Sequence, residues 1–367
     1  MSLTEIIADK IRKEGPVLFH DFMEMALYYP GAGYYVNEHD PVGGSGDYYT
    51  SPYITSAFGA LLAKQLEEMW ALLGKKKFTV VEYGAGNGFL CRDIIQHLKK
   101  NEALYSNLRY CIIEKSPFMK QKQKIDADEK VQWLNSIGDI PAVEGCILSN
   151  EVVDNFAVHQ VLMQDELMEI FVDYQDGFAE RLQPASPLLK NYLVQSRVQL
   201  PQGFRTEINL HVTEWIREIA KAIHKGFVLT IDYGYPASAL YHPLRTSGTL
   251  LCYYKHQISD CPYIHIGEQD ITTHVNFSAL VHWGLKEGLK CGGFTNQAYF
   301  LLGLGLTGQL EKMEENAGLS NQALQEERAR FLHNFLLGMG KKLKVLLQLK
   351  GIQKPRLSGF QFPNPIL

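Results

Sequence analysis

One stretch constrains this chain more than any other: Val80-Val81-Glu82-Tyr83-Gly84-Ala85-Gly86-Asn87-Gly88-Phe89. An apolar, β-branched run from Phe78 to Tyr83 carries an acid near its end. It passes into glycines at alternate positions and then opens a helix over Phe89 to Lys100. Glycine permits left-handed torsions and lets a ligand approach the backbone, and the first turn of a helix offers unpaired N–H groups. The pattern continues downstream. Leu108 to Glu114 reads as a second strand, Pro117 to Lys124 as a helix, Val131 to Leu134 and Cys146 to Ser149 as short strands. A helix from about Leu210 to His224 precedes a further strand, Phe227 to Asp232. Strands separated by helices require parallel pairing through right-handed crossovers. The predicted fold is α/β: a doubly wound, mostly parallel sheet.

The organisation follows from where that alternation starts and stops. Residues 1–74 read as an N-terminal helical segment with a glycine-rich loop, Gly43-Gly44-Ser45-Gly46-Asp47, packing on the core. Helices are expected at 4–14, at 20–28 and from Thr55 to Leu73, the last with an amphipathic stripe through Phe58, Leu61, Leu62, Leu66, Met69 and Trp70. Residues 75–155 and 209–306 form the core, with 249–254 and 297–302 closing the sheet. Residues 156–208 are an insertion, in which Val158 to Met163 and Met168 to Tyr174 pair as a hairpin around Gln164-Asp165-Glu166. Residues 307–367 read as a C-terminal helical extension, with a last helix from about Asn321 to Leu349 bent at Gly338 and Gly340.

Composition excludes several classes. A net charge of -4 and a pI of about 6.3 give no surface built for bulk nucleic-acid binding. No apolar stretch approaches the roughly 20 residues that span a bilayer, so membrane insertion is not expected. The N-terminus lacks a basic region followed by an apolar one. None of the cysteines forms a C-x-x-C pair, which reads as buried thiols in a reducing compartment. The expected location is a bacterial cytoplasm; the oligomeric state stays open. His256, His265 and His274 lack a tight ligand spacing, so no metal site is expected. A Walker A loop, a nucleophile elbow and a zinc-finger pattern are also missing.

The glycine loop does not fit a dinucleotide fingerprint, because the sixth position from Gly84 is Phe89. Its E-x-G-x-G-x-G form instead resembles the first motif of class I methyltransferases. That resemblance implies S-adenosyl-L-methionine as cofactor, with Gly84, Ala85, Gly86 and Gly88 beside its methionine and ribose parts and Glu82 near its amino group. Glu114 ends the next strand, where an adenosine ribose lies, and a carboxylate accepts both hydroxyl protons. Nicotinamide enzymes share that device, so Glu114 by itself supports only a nucleoside cofactor.

Further blocks resemble the MidA-like methyltransferases, the family of the mitochondrial arginine methyltransferase that assists complex I assembly. They are Leu27-Tyr28-Tyr29-Pro30-Gly31-Ala32-Gly33-Tyr34-Tyr35, then Gly46-Asp47-Tyr48-Tyr49-Thr50-Ser51-Pro52, then Ser149-Asn150-Glu151-Val152-Val153-Asp154-Asn155. Asp232-Tyr233-Gly234, Tyr254-Lys255-His256 and Asp270 to Phe277 complete the series, from about residue 15 to 306. Tyr83, Ala85, Asn155 and Asn276 depart from the family pattern. The resemblance implies a Rossmann-like class I methyltransferase that takes an arginine side chain of a protein partner, of respiratory-complex type or another. Methylation of a small molecule, with the insertion as a lid, is a second reading, and a nonenzymatic assembly factor is a third. The intact Glu82, Gly84, Gly86, Gly88 and Glu114 set argues against the third.

Arginine presents a planar fork of donors, which carboxylates hold well. Asn150, Glu151 and Asp154 follow the Cys146 to Ser149 strand, and ligands of open α/β sheets lie beyond strand carboxyl ends. Glu151 and Asp154 are the expected guanidinium holders and Asn150 orients them; Asp154 as a plain helix cap is the alternative. Glu207 is a further candidate. The family resemblance also brings Asp232 and Tyr233 to the acceptor pocket and Asp47 to a loop closing over the cofactor.

Overall fold

The main sheet is built from seven strands: β1 Phe78–Tyr83, β2 Leu108–Ile113, β3 Val131–Leu134, β4 Val143–Asn150, β5 Ile223–Tyr235, β6 Lys290–Asn296 and β7 Leu343–Lys350. They lie in the order β3-β2-β1-β4-β5-β7-β6. The first five run parallel, while β7 is antiparallel to both β5 and β6. The short strand Val275–Asn276 adds to the end of β5, pairing Gly234 with Val275. This computed structural model describes residues 1–38, 43, 46–125, 127–140, 142–308 and 332–362.

The period of two along each strand decides what each face packs against. Phe78, Val80, Tyr110, Ile112, Cys146, Leu148, Leu229 and Leu347 face the helices Ser56–Leu72 and Phe89–Leu98. Val81, Cys111, Ile147, Val228 and Leu346 face the helices His211–Ala222 and Phe277–Lys286. Both sets are buried, as a sheet with helices on two sides requires. The doubly wound, mostly parallel sheet expected from the sequence is the observed one.

The predicted hairpin forms around Gln164 to Glu166, pairing Met163 with Leu167 and Val161 with Glu169. It grows into a second sheet of Val17–Leu18, His159–Met163, Leu167–Tyr174, Phe178–Pro184 and Arg205–Ile208. The helices Leu3–Glu14 and Phe19–Tyr28 pack here, not on the main sheet: Ile7, Phe19 and Phe22 share a core with Val158, Val172 and Ile271. Of the three helices expected in this segment, Ser56–Leu72 lies on the main sheet.

Three expectations are corrected. Residues 297–302 do not close the sheet, because Gln297–Gly303 is a helix capped by Asn296. Residues 249–254 do not either: Leu251–Tyr254 belongs to a small separate sheet with Gln257–Ser259 and Asp270–Thr272. The closing strands are β6 and β7. The C-terminal extension is not helical through Leu349, since Leu343 to Lys350 is strand β7. Its Leu-Lys-Val-Leu-Leu-Gln-Leu-Lys sequence fits a buried helix turn or a central strand equally by apolar pattern. Insertion between β5 and β6 decides for the strand. Gly44, Ser45 and the start of that expected helix, Asn321 to Phe331, lie outside the described residues. No helix among the described residues is long and apolar enough to cross a membrane.

Candidate active site

A cavity of about 300 Å³ opens beyond the carboxyl ends of β1, β2 and β4. Its floor is the turn after β1. Gly84, Gly86 and Gly88 have φ of 60°, 51° and 77°, the left-handed region that favours glycine. A Cβ on Gly84 would meet Val152 at 2.9 Å, whereas at Gly86 nothing stands within 4 Å. The turn is therefore packed from behind and bare on the cavity side. Gly84 N–H donates to the Ile113 carbonyl at 2.9 Å, tying the turn to β2.

Two acids stand on this side, and both have donors from the chain. Glu82 is 2% exposed and accepts from the Tyr110 hydroxyl at 2.7 Å. Burial pushes its carboxyl up to about 7, with Glu114 adding repulsion. Glu114 accepts from Ser116 N–H at 2.9 Å through Oε1 and from Gln123 Nε2 at 3.1 Å through Oε2. Burial raises its pKa while those donors lower it. Ile113, Met119 and Ile137 form an apolar slot beside it, with Asn135 and Ser136 at the edge. A side-chain-free turn, an acid at the tip of the next strand and an apolar slot in one cavity fit an adenosyl group carrying an amino-acid tail.

The opposite wall follows β4. Glu151 stands at φ 54°, a left-handed torsion unusual for a residue with a side chain, and its N–H donates to Ile231 O at 2.9 Å. This torsion turns the chain at the strand end. Glu151 Oε1 takes Ser51 N–H at 3.4 Å and Asn150 Nδ2 at 3.1 Å, which leaves Oε2 for an incoming donor. Burial, then repulsion from Asp232, raises its pKa to about 8. Asp154 is buried and its Oδ1 has no hydrogen-bond partner. Burial and the charges of Asp232, Asp270 and Glu151 push it well above the usual carboxylate range. Asp232, fully buried, accepts from Val152 N–H at 3.2 Å and Val153 N–H at 2.9 Å and is also raised by burial. Asp270 accepts from the Tyr35 hydroxyl at 2.8 Å and is pushed up to about 7, chiefly by burial. Among the described residues no Lys or Arg forms an ion pair with any of these four acids.

Of the residues expected at the site, Glu82, Gly84, Ala85, Gly86, Glu114, Asn150 and Glu151 line the cavity. Gly88 lies just behind, as the left-handed N-cap of Phe89–Leu98. Asp154 sits beneath the wall, and Asp232 anchors the segment that carries it. Two candidates are not brought here. Glu207 accepts from Thr249 N–H and Oγ1 at 2.9 and 3.0 Å and from Leu250 N–H at 3.3 Å, so its carboxylate fixes a loop. Asp47 accepts from the Tyr34 hydroxyl at 2.7 Å and from Lys255 N–H, which pins the glycine-rich loop to the small sheet. That loop reaches the cavity through Tyr48, Thr50 and Pro52 instead. Both acids turn away because buried carboxylates go where backbone donors satisfy them.

Sequence reasoning missed Tyr28, Tyr35, Phe156, His211 and Trp215 on the cavity wall. The tyrosines lay in a block read only for its family resemblance, and Phe156 stacks on His211 at 4.6 Å through a pairing remote in sequence. His256 and His265 are stacked on Tyr49 and Tyr254, and half-buried His274 meets Tyr235 edge-on.

Comparison with known proteins adds to this geometry. Residues 61–295 match the model of a family described as "Putative S-adenosyl-L-methionine-dependent methyltransferase". Among curated proteins, the Drosophila melanogaster mitochondrial protein arginine methyltransferase NDUFAF7 homolog is 26% identical over 98% of this chain and 87% of its own length. The Rattus norvegicus mitochondrial protein arginine methyltransferase NDUFAF7 is 27% identical over 88% and 78%. A Burkholderia thailandensis crystal structure bound to S-adenosyl-homocysteine superposes with a TM-score of 0.88, at 27% identity, over 98% of this chain and 95% of that one.

Proposed function

Because the chain belongs to the MidA-like family of S-adenosyl-L-methionine-dependent methyltransferases, we propose that its methyl acceptor is an arginine side chain of a protein. The enzyme class and the cofactor are those of the family. The observation that carries the acceptor is the group Glu151, Asp154, Asp232 and Asp270: one half-buried and three buried acids with no cation among the described residues, one of them with an oxygen lacking any donor. Without a cation, burial holds these acids toward their neutral forms, and an incoming cation is the partner that lets them ionise. A guanidinium is a cation with a fork of donors. The arginine methyltransferases NDUFAF7 among the relatives support the same reading.

The residues divide the work. Gly84, Ala85, Gly86 and Gly88 give the backbone surface for the cofactor, Glu114 takes the ribose hydroxyls and Glu82 lies toward the amino group. Bound S-adenosyl-L-methionine supplies an electrophilic methyl carbon on a sulfonium. Glu151 Oε2 holds the guanidinium and orients one nitrogen toward that carbon, Asn150 fixes Glu151, and Asp154 adds a carboxyl from beneath the wall. Glu151 Oε2 would take the N–H proton that methylation of the nitrogen displaces, leaving the methylated guanidinium with a single positive charge. Burial makes this carboxylate a stronger base than a solvated one once the guanidinium has paired with it in ionised form. The aromatic wall of Tyr28, Tyr35 and Phe156 keeps water from the reacting atoms.

The test is incubation of protein extract with cofactor labelled in its methyl group, followed by identification of the labelled residue. Label on arginine is the expected result. Label confined to small molecules overturns the acceptor and leaves the enzyme class intact.

A further inference from the structure

A carboxylate clasps two ribose hydroxyls only if its plane is fixed, and Glu114 ends a strand where nothing covalent fixes it. We propose that Gln123 is the positioning residue of this clasp: its amide locks the Glu114 carboxylate to the glycine turn, and the Trp133 indole locks the amide. The inference rests on the reading of Glu114 as the ribose acid.

Gln123 lies in the helix Pro117–Lys124 and is 7% exposed. Its Nε2 donates to the Gly86 carbonyl at 2.8 Å and to Glu114 Oε2 at 3.1 Å. Its Oε1 accepts from Trp133 Nε1 at 2.8 Å. An indole N–H only donates, while a carbonyl and a carboxylate only accept, so a single orientation of the amide satisfies all three partners. A flipped amide would press its oxygen against two acceptors and its N–H groups against a donor.

Packing alone does not hold this side chain. Behind it lies a second cavity of about 370 Å³, lined by Gly88, Cys91, Trp133 and Gln123 itself. Gln123 lines this second cavity, while its amide reaches Gly86 and Glu114 of the first, so hydrogen bonds fix it on that side. Gly88 packs on it from the turn: a Cβ there would stand 3.4 Å from Gln123 Cγ, an ordinary contact, so it is the left-handed φ of 77° that calls for glycine.

The experiment measures S-adenosylhomocysteine binding to the full chain by calorimetry. Gln123→Met keeps the length and removes the amide. Its dissociation constant should rise about tenfold, as loss of hydrogen bonds to a charged group implies. The 2′,3′-dideoxy analogue, with no hydroxyls to clasp, should bind wild type and variant within about twofold. Trp133→Phe should lose less than Gln123→Met, because the amide remains but is free to turn. Gln123→Glu should bind better at pH 6 than at pH 8, since a carboxylate facing Glu114 is tolerated only when the pair shares a proton. A Gln123→Met variant that binds like wild type overturns the inference, as does one that loses both ligands equally. Glu114→Ala separates the two claims: unchanged affinity there sinks the ribose reading, whereas a loss there without one in Gln123→Met sinks only the role of Gln123.

Discussion

The two walls of the cavity both end in acids, and they are finished differently. On the β1–β2 side, Glu82 and Glu114 receive donors from Tyr110, Ser116 and Gln123. On the β4–β5 side, Asp154 Oδ1 receives none and Glu151 commits one oxygen only. The first arrangement fits a ligand that brings neutral hydroxyls, where the acid needs to be held in place. The second keeps a deficit of positive charge in the fold until a ligand supplies it. Saturation by internal donors thus separates an acid that positions from an acid that waits.

The comparison can be broken by mutation. The largest effect is expected at Glu151. Glu151→Gln keeps the shape and removes the charge and the proton acceptor, and should cut kcat/KM by about a thousandfold. Asp154→Ala should cost about a hundredfold in turnover while the S-adenosylhomocysteine dissociation constant stays within about twofold, because Asp154 lies on the waiting side. If it weakens cofactor binding instead, the division between walls is wrong. Glu114→Ala, on the held side, should weaken S-adenosylhomocysteine by roughly tenfold to a hundredfold and shrink the ligand-induced rise in melting temperature accordingly.

Proton linkage gives a gentler test. The folded pKa of Glu151 stands near 8, above that of the unfolded chain. Between these values the native state binds a proton that the unfolded state has released, so stability falls as pH rises. The ligand-free protein should lose melting temperature from about pH 5 to about pH 8, and Glu151→Gln should flatten that fall. A wild-type profile flat over this range would contradict the raised pKa of an acid that no cation faces. The smallest effect is expected from Glu207→Gln, which removes charge from a loop-fixing acid. It should lower the melting temperature by roughly 2 to 4 °C and leave S-adenosylhomocysteine affinity alone.

The sequence by itself determined the parallel half of the sheet, the hairpin of the insertion and the bare turn after β1. Those features are local: alternation of period, glycine at alternate positions and an acid at a strand end can be read within about ten residues of chain. It also brought Asn150 and Glu151 under scrutiny, through motif and family resemblance. Tertiary structure decided the rest. The run Leu343 to Lys350 became a strand because β5 and β6 left a slot for it, not because its pattern forbade a helix. Asp47 and Glu207 carry the same chemistry as Glu151, and only the position of Lys255 and Thr249 assigned them to holding loops. Gln123 gave no signal at all, since its three partners are brought together only by the packing of a helix against two strand ends. A carboxylate or an amide has one chemistry in sequence; its role depends on which donors and acceptors the folded backbone leaves within hydrogen-bonding reach.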